Sequence, residues 1–544
     1  MKISGVKIPD YKQYRTFKDF FKFTDLKIEK KTEADVYASL LLTGKILSIR
    51  KFRKELVDFE TKSVKTVPTK NKKYLINDQL TLFSTIQILC NNLLNNQKFI
   101  RSFIKAEKKM HKIWYPMPRE WINILNKDDV IVNSFICICL WRLYCIKKYI
   151  QLFISIFYYF FNYLFYKSIL FKKYYKNFNK SYIYINNFDS KLSETGDYNF
   201  VNWLKKQGEF NNYLFVHCDE EFKNSKNVTY YSNFFTPASF KNRAKLFARV
   251  LGYIIHFISS PKTKYSFNLN IEDLLRTYHL LINHESPSNI FIFREEMRLY
   301  TPIWVRYAHS LNQKVIYIEH SQSIEPDLKK EIPLDDDFEK LVIWPEVWTV
   351  TKERIQFLQK YEENKIKRFR HVGLPWMYDS NRPILNSDEI AISVFDVEPH
   401  KGYFGVSTYN FFGLQEIGYS IAFLNDIVEL AHKFGFRIFH KPKRNIAAKR
   451  YSEYQELLEH LKFKFPKNYT LLEPEISIQF IAENSNYIIA TPFTSAIYAG
   501  EFSYASCIYY DPLETGISSS RNSLIEVIHG RRSLNEWFKQ ISGA

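Results

Sequence analysis

Several signatures that would identify an enzyme class are missing from this sequence of 544 residues. It has no GxGxxG, no P-loop and no GxSxG, which excludes the usual dinucleotide fingerprint, the phosphate-binding loop and the hydrolase nucleophile elbow. Its start also lacks the apolar core of a secretory signal. The cysteines form no CxxC pair and no metal-ligand spacing, and they number six: Cys90, Cys137, Cys139, Cys145, Cys218 and Cys507. We therefore expect reduced, buried thiols and a protein that works in the cytosol, without a metal.

Acidic residues are scarce only in the first third of the chain. Residues 1–180 contain 35 Lys and Arg against 14 Asp and Glu, whereas the remainder contains 42 against 43. Such an excess points to a polyanionic partner, either an anionic membrane surface or nucleic acid. Because no nucleic-acid motif is present and the basic region borders the most apolar stretch of the chain, the pattern favours the membrane. A solvated lysine-rich surface is the alternative.

The most apolar stretch, Tyr149–Tyr166, runs for 18 residues without a charge but includes Gln151, Asn162 and five tyrosines. Eighteen residues is the lower limit for a spanning helix, and tyrosine prefers the membrane interface. The composition favours an interfacial helix over a spanning helix or a buried core helix. We divide this part into a basic, mainly helical region, 1–130, and a membrane-associated segment, 131–180.

From residue 181 onward, short apolar runs alternate with helical periodicity. Runs such as Tyr182–Ile185, Lys314–Ile318 and Glu389–Phe395 read as buried strands, and this alternation predicts parallel, doubly wound α/β sheets. The polar, proline-containing link Ser380–Asp388 marks a boundary. We expect two Rossmann-like domains, 181–379 and 380–544, the second ending in a helical tail.

One βαβ unit near the end of the chain organises the functional argument. The strand Asn486–Ala490 leads into a turn at Thr491–Ser495, then a small-residue helix at Ala496–Glu501 and a second strand at Cys507–Tyr510. Thr494 or Ser495 would cap that helix, whose free N–H groups would face an anion. An ordinary capped turn is the alternative.

The residues Pro492-Phe-Thr-Ser495, inside IIATPFTSAIYAGEF and followed by IYYDP, resemble the signature of bacterial polysaccharide biosynthesis proteins named for their PFTS motif. More distantly, the sequence is similar to the C-terminal half of GT-B glycosyltransferases and polymer glycerophosphotransferases. The resemblance covers about Tyr182 to Glu526. It implies a GT-B-like pair of domains, with the acceptor on the first and a nucleotide-activated donor on the second.

A cationic cluster marks the expected donor side. The cluster follows a predicted strand at the sheet edge where ligands bind, and it consists of His440, Lys441, Lys443 and Arg444. With the start of the helix at Thr494 and Ser495, it would stabilise a departing phosphate. The resemblance further implies that Glu473 holds the ribose or base, and that Asp511 binds sugar hydroxyls or shapes its turn. A solvated basic loop is the alternative.

Two sets of residues are candidates for the general base. His320 follows a strand of the first domain, and Glu319 would orient it. Asp396 and Glu398 follow the first strand of the second domain and would face the same cleft. The alternatives are a hydrogen-bonded structural histidine and strand-end acids that cap the next helix.

These observations predict a metal-independent, GT-B-type glycosyltransferase of bacterial surface polysaccharide synthesis. It would need no cofactor beyond its nucleotide-sugar donor, and it would act on a lipid-linked or growing glycan at the cytoplasmic face of the inner membrane. An anionic membrane surface would bind residues 1–180, and nucleic acid would not be a partner. The alternatives are transfer of glycerol phosphate or another polyol phosphate, a nucleotide-sugar epimerase, and a non-catalytic scaffold of a polysaccharide assembly complex.

Overall fold

The computed structural model describes most of the predicted elements. The described residues are 2–3, 6–7, 46–64, 76–94, 99, 112–127, 132–165, 182–185, 197–208, 210, 214–217, 228–230, 240–260, 265–283, 290–293, 300–319, 341, 343–359, 366, 368–375, 390–397, 399, 414, 417–442, 452–473, 476–492, 494–503, 505–514 and 525–543.

The N-terminal part is helical, apart from a short antiparallel pair, β1 (Lys2–Ile3) and β2 (Val6–Lys7). Its helices are α1 (Ile46–Val64), α2 (Asp78–Leu94), α3 (Arg119–Lys127) and α4 (Ser134–Phe165). A buried carboxylate holds this part together, because Glu60 Oε1 accepts hydrogen bonds from Trp121 Nε1 at 2.8 Å and Tyr265 Oη at 2.6 Å. A buried acid is tolerated when donors satisfy it.

The helix α4 is longer than the apolar stretch predicted. It begins at Ser134 rather than Tyr149, and one side of it packs against the first α/β unit. Tyr149 Oη lies 3.0 Å from Ser266 Oγ, and Tyr159 Oη donates to Glu272 Oε2 at 2.9 Å. Of the helices that the structure describes, none has both the length and the apolar character needed to cross a bilayer.

The first α/β unit is a sheet of seven parallel strands. In chain order they are β3 (Tyr182–Ile185), β4 (Leu214–His217), β5 (Val228–Tyr230), β6 (Ile290–Phe293), β7 (Lys314–Ile318), β8 (Glu346–Thr349) and β9 (Arg368–His371). Their order in the sheet is β5-β4-β3-β6-β7-β8-β9. The accompanying helices are α5 (Asp197–Lys206), α6 (Phe240–Ser259), α7 (Ile271–Asn283), α8 (Ile303–Ser310) and α9 (Lys352–Gln359).

The start of α8 is capped from a neighbouring helix. Pro302 stands at the N-cap position and has no side-chain acceptor. Asp273 of α7 supplies it instead, accepting from the backbone N–H groups of Ile303 at 2.8 Å and Trp304 at 3.2 Å. Burial raises the pKa of Asp273 in spite of these donors. This contact joins α7 to α8.

The second α/β unit is a sheet of six parallel strands. In chain order they are β10 (Ala391–Phe395), β11 (Arg437–Lys441), β12 (Tyr469–Leu471), β13 (Tyr487–Ala490), β14 (Ser506–Asp511) and β15 (Glu526–His529). Their order in the sheet is β12-β11-β10-β13-β14-β15. The accompanying helices are α10 (Ile417–Phe434), α11 (Ser452–Lys464), α12 (Ile478–Glu483), α13 (Gly500–Ser503) and α14 (Gly530–Ser542). The expected pair of Rossmann-like units is confirmed.

Two details of the second unit differ from the sequence prediction. The strand β12 was not predicted, and the predicted helical tail from Leu524 contains β15 before α14 begins at Gly530. Both are short strands at the edges of the sheet, where few apolar residues are needed. After α10, Gly435 adopts a left-handed conformation with φ of 78°, and Phe436 N donates back to Ala431 O at 2.9 Å. This hydrogen bond ends α10, and the chain then continues directly into β11.

Both sheets are wound outward from a central strand. In the second sheet the chain goes from β10 through β11 to β12, then returns and continues from β13 through β14 to β15. The direction of winding therefore reverses between β10 and β13. At such a reversal the loops that follow the two neighbouring strands diverge, leaving a crevice at their carboxyl ends.

Candidate functional site

The reversal point brings several of the predicted site residues to one edge of the second sheet. Phe395, the last residue of β10, is in register with Lys441 of β11 and with Ala490 of β13. Asp396 and Thr491 therefore follow neighbouring strand ends, one on each side of the crevice. Asp511 ends β14, one strand farther away.

The turn Thr491–Ser495, of which the structure describes every residue except Phe493, lies at this reversal point. Thr491 N donates to Phe395 O at 3.0 Å, so the turn begins attached to the end of β10. Thr494 N then donates to Thr491 O at 3.1 Å, and Ser495–Ala499 form a 3-10 helix that continues into α13. The turn is where the sequence predicts it, but the α-helix expected at Ala496–Glu501 begins instead as this tighter helix.

The side chains of the turn do not act as expected. Thr494 is in the N-cap position with an extended backbone, yet its side chain makes no capping hydrogen bond. Ser495 is already the first residue of the 3-10 helix. The expectation of a capping threonine or serine is therefore wrong. Among the described residues, the buried Oγ1 atom of Thr494 has no hydrogen-bond partner. A buried hydroxyl in this state is unusual, so its partner lies outside the described residues.

A buried polar cluster lies at the ends of β10, β11 and β12. Asp396 Oδ2 accepts a hydrogen bond from Tyr454 of α11 and lies 3.4 Å from His440 Nε2. His440 Nδ1 lies 2.7 Å from Tyr469 Oη. Burial first, and then the charge of Asp396, raises the pKa of Tyr469 well above its ordinary value. Tyr469 therefore keeps its proton at neutral pH, and its hydroxyl is the hydrogen-bond partner of His440 Nδ1.

This cluster corrects two expectations. His440 was expected to bind phosphate and Asp396 to face the cleft, but His440 is 0% exposed and Asp396 is 3% exposed. The reason is α11, which covers this side of the sheet and places Tyr454 over the carboxylate. The observed contacts of both residues hold strand ends together. Tyr454 and Tyr469 belong to no motif, so they could not be identified from the sequence.

Two more residues that were predicted to bind the donor, Lys441 and Glu473, lie at the same edge of the sheet but differ in exposure. Lys441 ends β11 with 8% exposure, and Glu473 is exposed two residues beyond β12 at the same edge. Lys443, Arg444 and Glu398 lie outside the described residues. Their predicted roles stay predictions.

Asp511 is fully buried and shapes its turn. Its Oδ2 atom lies 3.1 Å from His529 Nδ1, and its Oδ1 atom accepts from Leu513 N at 3.3 Å. Burial, followed by the charge of Asp511, raises the pKa of Tyr419 well above its ordinary value. These contacts agree with the second of the two roles expected for Asp511, not with binding of sugar hydroxyls.

On the first domain, Glu319 forms a buried ion pair. It follows β7, and its Oε1 atom accepts from both Nε and Nη2 of Arg354 in α9, each at 2.9 Å. Its backbone N–H also donates to Trp348 O at 3.0 Å. Glu319 was expected to orient His320, which lies outside the described residues, but its described partner is Arg354. The pair fixes the end of β7, from which the chain continues to His320.

No group of three or more His, Cys, Asp or Glu side chains with the arrangement of a metal site is found in the part of the chain that the structure describes. The five cysteines within that part form no disulfide with one another. Cys90 and Cys137 are buried as expected, but Cys145 and Cys507 are half-buried and Cys139 is exposed, because it lies on the outer side of α4.

Comparison with known proteins gives one family match. The sequence profile of the family described as "Polysaccharide biosynthesis PFTS motif protein" matches residues 253–538. No curated protein matches the chain. Among solved structures, the chain is similar to a glycosyltransferase from Rickettsia africae, with 13% identity and a TM-score of 0.35 over 68% of this chain and 90% of that one.

Two further solved structures show similarity at the same level. The complex of MnaA from S. aureus with UDP has 9% identity and a TM-score of 0.36, over 66% of this chain and 87% of that one. UDP-GlcNAc 2-epimerase from Methanocaldococcus jannaschii has 11% identity and a TM-score of 0.34, over 67% of this chain and 92% of that one.

Proposed function

The chain belongs to the family of polysaccharide biosynthesis PFTS motif proteins, and from this premise we propose that it is a glycosyltransferase. It transfers a sugar from a nucleotide-activated donor to a lipid-linked or growing glycan. The reaction uses no metal ion and no cofactor other than the donor. It takes place at the cytoplasmic face of the inner membrane, a reducing environment in which cysteines without disulfides persist.

The observation that carries the proposal is the position of the PFTS turn. The turn follows β13, directly beside β10, at the reversal point of the second sheet. Ligands of open α/β sheets bind at this point, outside the carboxyl ends of the strands. The position of this turn therefore supports a nucleotide-binding site at the reversal point.

Charge at the crevice suits a phosphorylated donor. During glycosyl transfer the bond between the anomeric carbon and the phosphate oxygen breaks, and its electron pair leaves with the phosphate. Lys441 ends the strand next to β10, and Lys443 and Arg444 follow it closely in the sequence. Cationic donors of this kind stabilise the negative charge that develops on the leaving group.

The acceptor hydroxyl must lose a proton as its oxygen bonds to the anomeric carbon. His320 is the proposed base, because a neutral imidazole accepts a proton near pH 7. The Glu319–Arg354 pair holds the strand end that precedes it. Glu398 is the alternative base. Because Asp396 and His440 are buried, their proposed role is to position the ends of β10 and β11 rather than to touch the substrate.

Ligand-induced stabilisation tests the proposal. The full chain is heated with UDP, CDP, GDP, CMP and their sugar conjugates, with and without a chelator, since a ligand bound only by the folded state raises the melting temperature. We expect one nucleotide family to stabilise the protein, with no effect of chelator. Lys443→Ala should abolish the shift, whereas Lys462→Ala, an exposed lysine of α11, should keep it.

The same experiment has outcomes that contradict the proposal. No stabilisation by any nucleotide would favour a scaffold. If a nucleotide binds, transfer from a labelled donor then identifies the group. If the protein transfers a polyol phosphate and no sugar, it is a polyol-phosphate transferase and not a glycosyltransferase.

A further inference from the structure

The helix α4 has one continuous apolar face that points away from the protein. It includes Leu143, Ile146, Ile150, Phe153, Ile154 and Phe157, whose side chains are between 54 and 63% exposed. At 3.6 residues per turn, these six positions fall within an arc of roughly 100° on one side of the helix. Large exposed apolar surfaces are rare on soluble proteins and mark sites of interaction.

The opposite side of α4 fixes the direction of this face. Leu152 and Ile156 are buried against the rest of the protein, and Tyr159 bonds to Glu272 of α7. Phe160 contacts Phe247 of α6, with ring centroids 5.0 Å apart. The helix of 32 residues, about 48 Å long, thus lies along the protein surface with its apolar face outward.

Positive charge accompanies the apolar face. The sequence of α4 contains three Lys or Arg and that of α6 contains four, while neither helix contains an Asp or Glu. Arg142 and Lys147 are exposed at the two borders of the apolar face, and α6 exposes Lys241, Lys245 and Arg249. An apolar stripe bordered by cations is the pattern of helices that lie in the interface of anionic membranes.

We propose that α4 and α6 form a docking surface for an anionic lipid bilayer. The helix α4 lies parallel to the membrane plane, with its apolar face among the acyl chains near the headgroups and the cations of both helices on the headgroup phosphates. Charge argues against a second copy as the occupant. A two-fold interface brings the same surface together from both subunits, so cations would face cations with no acid on either helix to pair with them.

Vesicle flotation of the full chain tests the proposal. We expect binding to vesicles of phosphatidylcholine with phosphatidylglycerol, and weaker binding to phosphatidylcholine alone. The double variant Phe153→Glu/Phe157→Glu should bind the anionic vesicles at least about tenfold less, since it removes apolar contact and adds two negative charges at the surface. Phe153→Leu/Phe157→Leu keeps the apolar character and should bind as the wild type does.

A matched control uses an exposed phenylalanine elsewhere. Phe463 of α11 is 87% exposed, and Phe463→Glu should leave vesicle binding unchanged. Lys241→Glu/Lys245→Glu should reduce the preference for anionic over neutral vesicles while leaving the apolar face intact. High salt should reduce the same preference, because it screens exposed charges.

Two outcomes would overturn the proposal. One is equal vesicle binding by the wild type and the Phe153→Glu/Phe157→Glu variant. The other is a lipid-free dimer that this variant converts to a monomer in sedimentation velocity, which would assign the face to a second copy of the chain. No sugar donor enters these measurements, so their result is independent of the proposed transferase activity.

Discussion

The Nε2 atom of His440, in β11, lies 3.4 Å from Oδ2 of Asp396, which directly follows β10, and neither residue is open to solvent. Tyr454 and Tyr469 complete the cluster from α11 and β12. Three neighbouring strand ends and their covering helix are thereby joined beside the crevice. Since Lys441 is the next residue after His440, this cluster also determines where the first cation of the basic segment lies.

We expect Tyr454→Phe to destabilise the protein by about 1–3 kcal/mol, because it removes the donor of a buried carboxylate and leaves that acceptor unsatisfied. Urea unfolding followed by circular dichroism measures this. Tyr487→Phe is the matched control, since the half-buried Tyr487 packs on Trp537 and its hydroxyl makes no hydrogen bond among the described residues. Equal unfolding midpoints for the two variants would show that the Tyr454 hydroxyl contributes nothing.

Thr494→Val separates stability from ligand binding. Valine has nearly the same shape as threonine, and the Oγ1 atom that it replaces is buried without a partner among the described residues. The ligand-free protein should therefore be as stable as the wild type or slightly more stable. If the hydroxyl bonds to the donor, nucleotide affinity should fall by about tenfold, which corresponds to 1.4 kcal/mol. Isothermal titration calorimetry with the stabilising nucleotide checks this. Unchanged affinity would remove Thr494 from the site.

Removing one partner of the Glu319–Arg354 ion pair should destabilise the protein more than replacing both partners by apolar residues. Each partner is less than one tenth exposed, so Arg354→Met leaves the buried Glu319 carboxylate without its described counter-ion, at a cost of about 3–5 kcal/mol. Glu319→Leu removes the same contact from the other side and should also destabilise the protein. The double variant Glu319→Leu/Arg354→Met should be clearly more stable than either single variant. Urea unfolding of all four proteins gives the coupling energy. Additive effects of the two substitutions would contradict a direct interaction.

Buried tyrosines should make the fold sensitive to alkali. Burial raises the pKa of Tyr144 to about 12, with a smaller contribution from Cys145, and raises the pKa of Tyr253 and Tyr510 well above the ordinary value. Unfolded tyrosine titrates near pH 10. The folded state thus keeps protons that the unfolded state releases. The stability from these groups is complete below about pH 10 and is lost as the pH rises through the folded values.

Tyrosinate absorbance and circular dichroism, recorded together against pH, check this prediction. Solvent-exposed tyrosines should ionise near pH 10 with the fold intact, and a second group should ionise only as the helical signal disappears. In concentrated urea a single step near pH 10 is expected. A single step near pH 10 without urea, with an intact helical signal, would contradict the buried positions of these side chains.

The sequence predicted strands that contain a buried apolar run and missed short strands at the sheet edges, such as β12 and β15. The residues of β13, and those of β7 after Lys314, form apolar runs because both faces of those strands are covered. In contrast, β12 has three residues and β15 is partly exposed, since both lie at the sheet edges. The reversal point depends on strand order, which comes from pairing between distant segments and has no local signature.

The sequence predicted at which edge of the sheet the candidate site lies, but it did not predict which side chains contact one another there. Carboxyl ends of parallel strands meet at one edge, so Asp396, Lys441 and Thr491 were correctly placed together. Which side chains are buried there depends on α11, whose Tyr454 lies 58 residues from Asp396 in the sequence. Similarly, Arg142 and Lys147 interrupt the apolar sequence of α4 without ending the helix, because they stand at the borders of its outer face.

The position of β15 has a consequence for how this protein is made. Among the six strands of its sheet, β15 is synthesised last, and α14 follows it to bring Arg531 onto Asp426 and Glu429 of α10 at 2.7 Å each. Until those residues leave the ribosome, β14 is an edge strand with unpaired backbone groups. An exposed edge of this kind invites pairing with other chains. A nascent chain stalled before residue 525 would therefore be more prone to aggregate than one that has added the final strand and helix.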